Sequence, residues 1–224
     1  MTGVARILTI IAVALWLPLQ AAVSSLDLPT STSNATASYN QWLGTSIQAG
    51  AAADPEVFAG GLTMRIQKLV PNANTTIMIV GETGLAPDLS KVLAVYDTSP
   101  FDSLPTGVDS LVTVLPDPEI LPLGHLPSVE GERAWIVFGV TAPDFDQALA
   151  TGLYYWRFAT ATGPTIDDEH DYSVGDRVAE SGTAGTGWSS SVDTPYSFSL
   201  EIVPEPGVAM LTAIAAISLL RRKR

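Results

Sequence analysis

Apolar and polar residues alternate along three stretches of this chain. Leu62, Met64 and Ile66 alternate with Thr63, Arg65 and Gln67; Tyr154, Trp156 and Phe158 alternate around Tyr155 and Arg157; Tyr196, Phe198, Leu200 and Ile202 alternate with Ser197, Ser199 and Glu201. A period of two puts one set on a buried face and the other in water, which predicts half-buried strands. Apolar runs at Trp42–Ile47, Ile77–Val80, Val92–Tyr96, Leu111–Leu115 and Trp135–Val140 bring the expected number to about eight, divided by proline, glycine and aspartate. The pattern predicts an all-β fold, a single antiparallel two-sheet β-sandwich of jelly-roll-like character. One short segment, Phe145–Ala150, has helical character over one or two turns, and the Ser/Thr/Ala-rich stretch Ser24–Ser38 reads as an extended leader or a first edge strand.

Both ends depart from this pattern. Arg6 precedes the eleven apolar or neutral residues Ile7–Leu17, Pro18 breaks the run, and Ala21-Ala22-Val23-Ser24 follows. That order of charge, short apolar core and small residues predicts a secretory signal peptide over 1–24, cut after Ala22 or Ser24; an uncleaved anchor is the alternative. At the other end Gly207–Leu220 carries neither charge nor proline, so in lipid its backbone is satisfied only as a helix. At about 1.5 Å per residue it spans roughly 21 Å against a hydrocarbon core of about 30 Å, a short and weak transmembrane helix. Arg221, Arg222, Lys223 and Arg224 follow directly and set its orientation, with the basic end cytoplasmic. Before it, Pro204 and Pro206 hold the chain extended around Glu205. The expected organisation is a signal peptide over 1–24, a leader over 25–40, a sandwich over 41–202 and a C-terminal signal over 203–224.

The box Val203-Pro204-Glu205-Pro206, the apolar helix 207–220 and the basic tail 221–224 together closely resemble the PEP-CTERM sorting signal. An ordinary tail anchor behind a proline-rich spacer is the alternative. The resemblance implies export through the Sec translocon, processing by signal peptidase, and transient anchoring in the inner membrane of a bacterium with an outer membrane. It further implies cleavage by an exosortase that recognises Val203–Pro206, and delivery to the cell surface or extracellular matrix. The body resembles, more loosely, the choice-of-anchor β-sandwich domains of the R type. The similar pieces are Gly60–Lys68, Ile77–Val80 with Gly84-Leu85-Ala86-Pro87, Val92–Ala94, Gly152–Trp156, Gly187-Trp188 and Tyr196–Ile202. Gly81 stands where that pattern has an aromatic, and the proline-rich stretch Leu115–Pro127 looks inserted. The resemblance implies no catalytic residue.

Charge narrows the partners. Of 11 Lys and Arg, Arg6 lies in the signal and four lie in the tail, leaving six against 23 Asp and Glu, a net charge of about −17 for the exported body. Such a field repels phosphate backbones, so no nucleic-acid partner is expected. The absence of cysteine excludes disulfides, thiolate metal sites and a thiol nucleophile. The sequons at Asn34 and Asn74 carry no glycan in a bacterial host.

Candidate chemistry is sparse. Asp167, Asp168, Glu169 and Asp171, with His170 among them, offer oxygens for Ca²⁺ but lack the spacing of a known calcium loop, and a solvated acidic turn is the plainer reading. His125 and His170 stand 45 positions apart without zinc-site spacing, and no Gly-x-Ser-x-Gly is present. Asp117, Glu119, Glu130, Glu132, Asp144 and Asp146 are loop acids from which a glycosidase pair could be drawn. Trp42, Tyr155 and Trp188 are candidate rings for stacking on sugars. The expected function is therefore a non-enzymatic surface or matrix protein without cofactor. A carbohydrate-binding module for exopolysaccharide is the alternative, and a polysaccharide hydrolase a third reading.

Overall fold

The computed structural model describes residues 24–27, 30–70, 74–117, 119, 123–141, 153–159, 166–167 and 169–204. The signal segment before Ser24, the helical candidate Phe145–Ala150 and the tail from Glu205 onward lie outside these residues. Among the described residues no helix is long and apolar enough to cross a membrane.

The described chain is all β. Its strands are β1 (Ser24–Asp27), β2 (Thr30–Ala37), β3 (Trp42–Ala49), β4 (Val57–Lys68), β5 (Asn74–Thr83), β6 (Ala86–Val95), β7 (Asp109–Val114), β8 (Arg133–Thr141), β9 (Tyr154–Ala159), β10 (Ile166–Asp167), β11 (Tyr172–Thr183), β12 (Thr186–Val192) and β13 (Phe198–Pro204). One antiparallel sheet, here sheet A, runs β1-β13-β4-β9-β2 with β7 also paired to β4; the other, sheet B, runs β10-β11-β3-β8-β5-β6 with β12 also paired to β11. Ser24–Ile202 forms one compact unit.

All eight expected strands are present, as β3 to β9 and β13. Alternation places most of their side chains as expected: Leu62, Met64, Ile66, Tyr154, Trp156, Tyr196, Phe198, Leu200 and Ile202 are buried, whereas Phe158 is only half-buried and Ser197, expected in water, is buried as well. The two sheets meet through aromatic rings. Phe138 of β8 makes edge contacts with Tyr154 and Trp156 of β9 at centroid distances of 5.6 and 6.0 Å, and Trp156 lies 4.7 Å from Tyr196. The Trp156 indole N–H donates to the Ser197 carbonyl at 2.9 Å, so this largest of the core rings leaves no polar atom unsatisfied.

The strand number exceeds the expected eight because polar and short segments also pair. The Ser/Thr-rich stretch supplies β2, the edge of sheet A, bonded to β9 from Thr30↔Ala159 to Ala37↔Tyr154. The hairpin β11–β12 is mostly Ser, Gly and Thr, and a register shift between Val174 and Val178 interrupts its alternation. Ala184 and Gly185, with φ of 52° and 84°, make its turn.

The proline-rich stretch Leu115–Pro127 is an edge closure. Pro116 bridges Tyr96, the Asp117 N–H donates to Val95 O at 2.7 Å, and the Gly124 N–H donates to Leu93 O at 2.7 Å. Two residues later the Leu126 N–H donates to Val57 O at 2.9 Å, and His125 bridges Phe58. The described residues of this segment thus bond the C-terminal end of β6 on sheet B and then hand over to β4 on sheet A. That covers a strand edge which would otherwise template association.

The central strands β3 and β8 of sheet B are buried on both faces. The outer face of the sheet carries a second apolar cluster of Trp42, Val80, Trp135, Val137 and Ala179, with Met78, Leu89, Val92, Ala184 and Trp188 packed around it. Glycines make room for the rings: a Cβ at Gly139 would lie 2.5 Å from the Trp42 ring, and Gly44 faces Trp135 and Pro87 at 3.5 and 3.4 Å. Pro87 belongs to the β5–β6 hairpin. Register shifts at Ile79/Val80 and Val80/Gly81 turn that hairpin across the face until its tip meets the turn of β11–β12.

Candidate functional site

Where the two hairpin tips meet, they leave an open groove of about 400 Å³. Thr83, Pro87, Asp88 and Ser90 line one side, and Gly185 and Trp188 the other. Gly185 is needed here, because a Cβ would lie 2.8 Å from both the Leu89 methyl and the Trp42 ring, and its φ of 84° suits glycine. Register fixes the aromatic side. Trp188 pairs with Ser181, and Ser181 pairs with Trp42, so the two tryptophans lie in one row across the sheet with a serine between them.

The polar side of the groove is organised by one carboxylate. Asp88 accepts from Thr83 Oγ1 at 2.6 Å, from Ser90 Oγ at 2.6 Å and from the Ser90 N–H at 3.0 Å, with Lys91 Nζ 3.6 Å away. The hydrogen bonds from Ser90 and Thr83 hold its carboxyl far below the usual carboxylate range, with a smaller contribution from Lys91. The aromatic side is short of acceptors instead: the covered indole N–H groups of Trp42, Trp135 and Trp188 have no hydrogen-bond partner among the described residues.

The three candidate stacking rings are not brought together. Trp42 is buried at 8% exposure, Trp188 is half-buried beside it, and Tyr155 is on sheet A. Tyr155 pairs with Thr36 and Gln67 there, on a polar face where Arg65 and Arg157 both bind Asp109, at 3.0 and 3.3 Å.

The acidic cluster is used internally. Asp167 lies in β10, Asp168 lies outside the described residues and Glu169 is exposed. Asp171 sits at a φ of 56° with its carboxylate accepting from the Ala52 N–H at 2.6 Å and its carbonyl from the Gly50 N–H at 2.7 Å. His170 is buried with Nδ1 3.8 Å from Asp54. Among the described residues no group of three or more His, Asp or Glu is arranged to hold a metal ion. His125 is engaged elsewhere, stacked on Phe58 at 4.4 Å with Nδ1 3.0 Å from the Pro55 carbonyl.

A second cleft of about 280 Å³ sets Glu82, Lys91, His125, Glu132 and Arg133 around an apolar lining that includes Leu93 and Pro127. Glu132 is one of the loop acids named from the sequence, whereas Glu82 and Arg133 sit on strands and gave no signal there. Arg133 spans Glu82 at 3.8 Å and Asp176 at 3.6 Å, so Glu82 is already committed to an ion pair.

Of the sorting residues, Val203 and Pro204 form the end of β13. Proline has no N–H to give to a ladder, which suits a strand end. Glu205, Pro206 and the basic residues Arg221, Arg222, Lys223 and Arg224 lie outside the described residues. No family model, curated protein or solved structure matches this chain.

Proposed function

We propose that this protein is an exported, non-enzymatic surface or matrix protein whose C-terminal signal is cut by an exosortase. In this reading the Sec translocon exports the chain and signal peptidase removes the leader. The apolar helix 207–220 then parks the body in the inner membrane, and cleavage at Val203–Pro206 releases it to the cell surface or a polysaccharide matrix. The observation that carries the reading is an order of residues: a Pro-Glu-Pro box that opens at the last residue of β13, fourteen uncharged residues, then four cations. The described strands run from Ser24 to Pro204 and so take in the first two residues of the box, Val203 and Pro204. A second reading, a carbohydrate-binding role for the body, is favoured by the groove at Trp188.

Intact mass and fractionation of the protein from its native host test the sorting. A mass lacking both the leader and everything beyond the Pro-Glu-Pro box, found in the surface or matrix fraction, is expected. A mass retaining Arg224 in the inner-membrane fraction would make it a tail-anchored periplasmic protein and end the proposal.

A further inference from the structure

The geometry points to the groove between the β5–β6 and β11–β12 hairpin tips as a binding site for a neutral saccharide, with Trp188 as the stacking ring and Thr83, Asp88 and Ser90 as the hydroxyl-reading side. The site rests on the carbohydrate-binding reading of the body and is independent of how the tail is sorted.

The two walls of the groove differ in kind. A sugar ring offers an apolar C–H face, hydroxyl hydrogens and hydroxyl oxygens. Trp188 supplies a half-buried ring at the groove wall. Opposite it, the hydroxyls of Thr83 and Ser90 have their hydrogens committed to Asp88 at 2.6 Å each. A hydroxyl whose hydrogen is committed keeps acceptor lone pairs; Thr83 Oγ1 already accepts from Lys91 Nζ at 3.0 Å, and the lone pairs that remain on Thr83 and Ser90 let this wall accept hydrogen bonds. The groove thus sets fixed acceptors against an apolar ring, matching the hydroxyl hydrogens and the C–H face of a pyranose.

Charge selects among saccharides. Asp88 lines the groove, its carboxyl stays ionised throughout the neutral range, and the exported body around it is strongly acidic. A uronate or sulfated sugar would bring a second negative charge to that wall, and a neutral sugar would not. The walls are also preorganised. Gly84 and Leu85, at φ of 60° and 70°, form one hairpin turn, and Ala184 and Gly185 form the other, so both tips are held by tight turns and meet across Gly185.

The test uses the full chain in a non-glycosidic detergent, titrated by calorimetry with cellohexaose, laminarihexaose, mannohexaose and chitohexaose, and with an alginate hexamer as the anionic probe. Binding of at least one neutral hexasaccharide is expected. Trp188→Ala should weaken it by roughly tenfold or more, while Trp188→Phe, which keeps a ring, retains most of it. Asp88→Asn should weaken it as well, with an unchanged melting temperature showing that the hairpins remain folded. Failure of every probe to bind would overturn both the site and the carbohydrate reading. Neutral-sugar binding that survives Trp188→Ala and disappears in Tyr155→Ala would overturn the site alone and move it to sheet A. Binding of the alginate probe only would overturn the neutral-sugar assignment.

Discussion

Ser24, the first residue of β1, pairs with Ile202 near the end of β13. The chain therefore enters and leaves the sandwich on neighbouring antiparallel strands, at the same end of sheet A. β1 has a second role, because it is the strand that covers the outer edge of β13. Deleting Ser24–Asp27 should leave the two-sheet core intact but expose the β13 edge, a row of unpaired backbone groups open to another chain. Light scattering of the deletion variant should show concentration-dependent self-association. A monodisperse variant would mean that β1 is dispensable as an edge guard.

The contact between Gly50 and Asp171 makes a sharp mutational prediction. A Cβ at Gly50 would lie 2.3 Å from both carboxylate oxygens of Asp171, which hold the Ala52 N–H. Gly50→Ala should lose about 1–3 kcal/mol in urea denaturation through the clash and the displaced hydrogen bond. Gly182→Ala is the control, because nothing lies within 4 Å of a Cβ there, and it should be neutral or slightly stabilising.

Alkaline pH should find a weakness in the core. Burial, reinforced by the charge of Asp102, pushes the Tyr154 hydroxyl up to about 12 from 10.0. Tyr96 and Tyr196 are raised further, chiefly by burial and secondarily by Glu201 and Glu180. Because the folded state disfavours the phenolate, stability from these groups is fully present below pH 10 and is lost as pH rises through the folded values. The melting temperature should hold level up to about pH 10 and then fall steeply. Tyrosinate absorbance should show these three rings ionising together with unfolding, and their titration in a still-folded protein would contradict the burial.

Glu205 is the only charge between the two prolines of the box. Glu205→Ala should accumulate as an uncut, membrane-bound precursor, seen as a larger band in the inner-membrane fraction on an immunoblot. Deleting Arg221–Arg224 should give a different defect, loss of the stop that keeps the tail in the bilayer. Normal processing and release of Glu205→Ala would contradict the sorting proposal.

Those parts of the body where one face is wet and the other dry were legible in the sequence. Leu62/Met64/Ile66 and Tyr196/Phe198/Leu200/Ile202 declared their inward faces by period alone. β11 and β12 did not, because the register shift after Val174 breaks the period and β12 reads Thr-Gly-Trp-Ser-Ser-Ser-Val. The second apolar layer was also hidden. It depends on Gly44 and Gly139 leaving space for Trp135 and Trp42, and on a bulged hairpin folding back over them. Neither feature has a local signature, so Trp42 read as a candidate platform when it is mostly covered. Trp188 was visible as a ring, but its polar partners Thr83, Asp88 and Ser90 lie about a hundred positions earlier and only the fold joins them.

The layering of sheet B also determines what light would report. Of the described tryptophans, Trp156 lies in the core between the sheets, and Trp42, Trp135 and Trp188 in the outer layer. Emission from these four rings is therefore weighted three to one toward the outer layer, whereas far-ultraviolet dichroism samples every strand alike. An optical melt that runs ahead of the dichroic one would time the peeling of a hairpin, with the sandwich beneath it still closed.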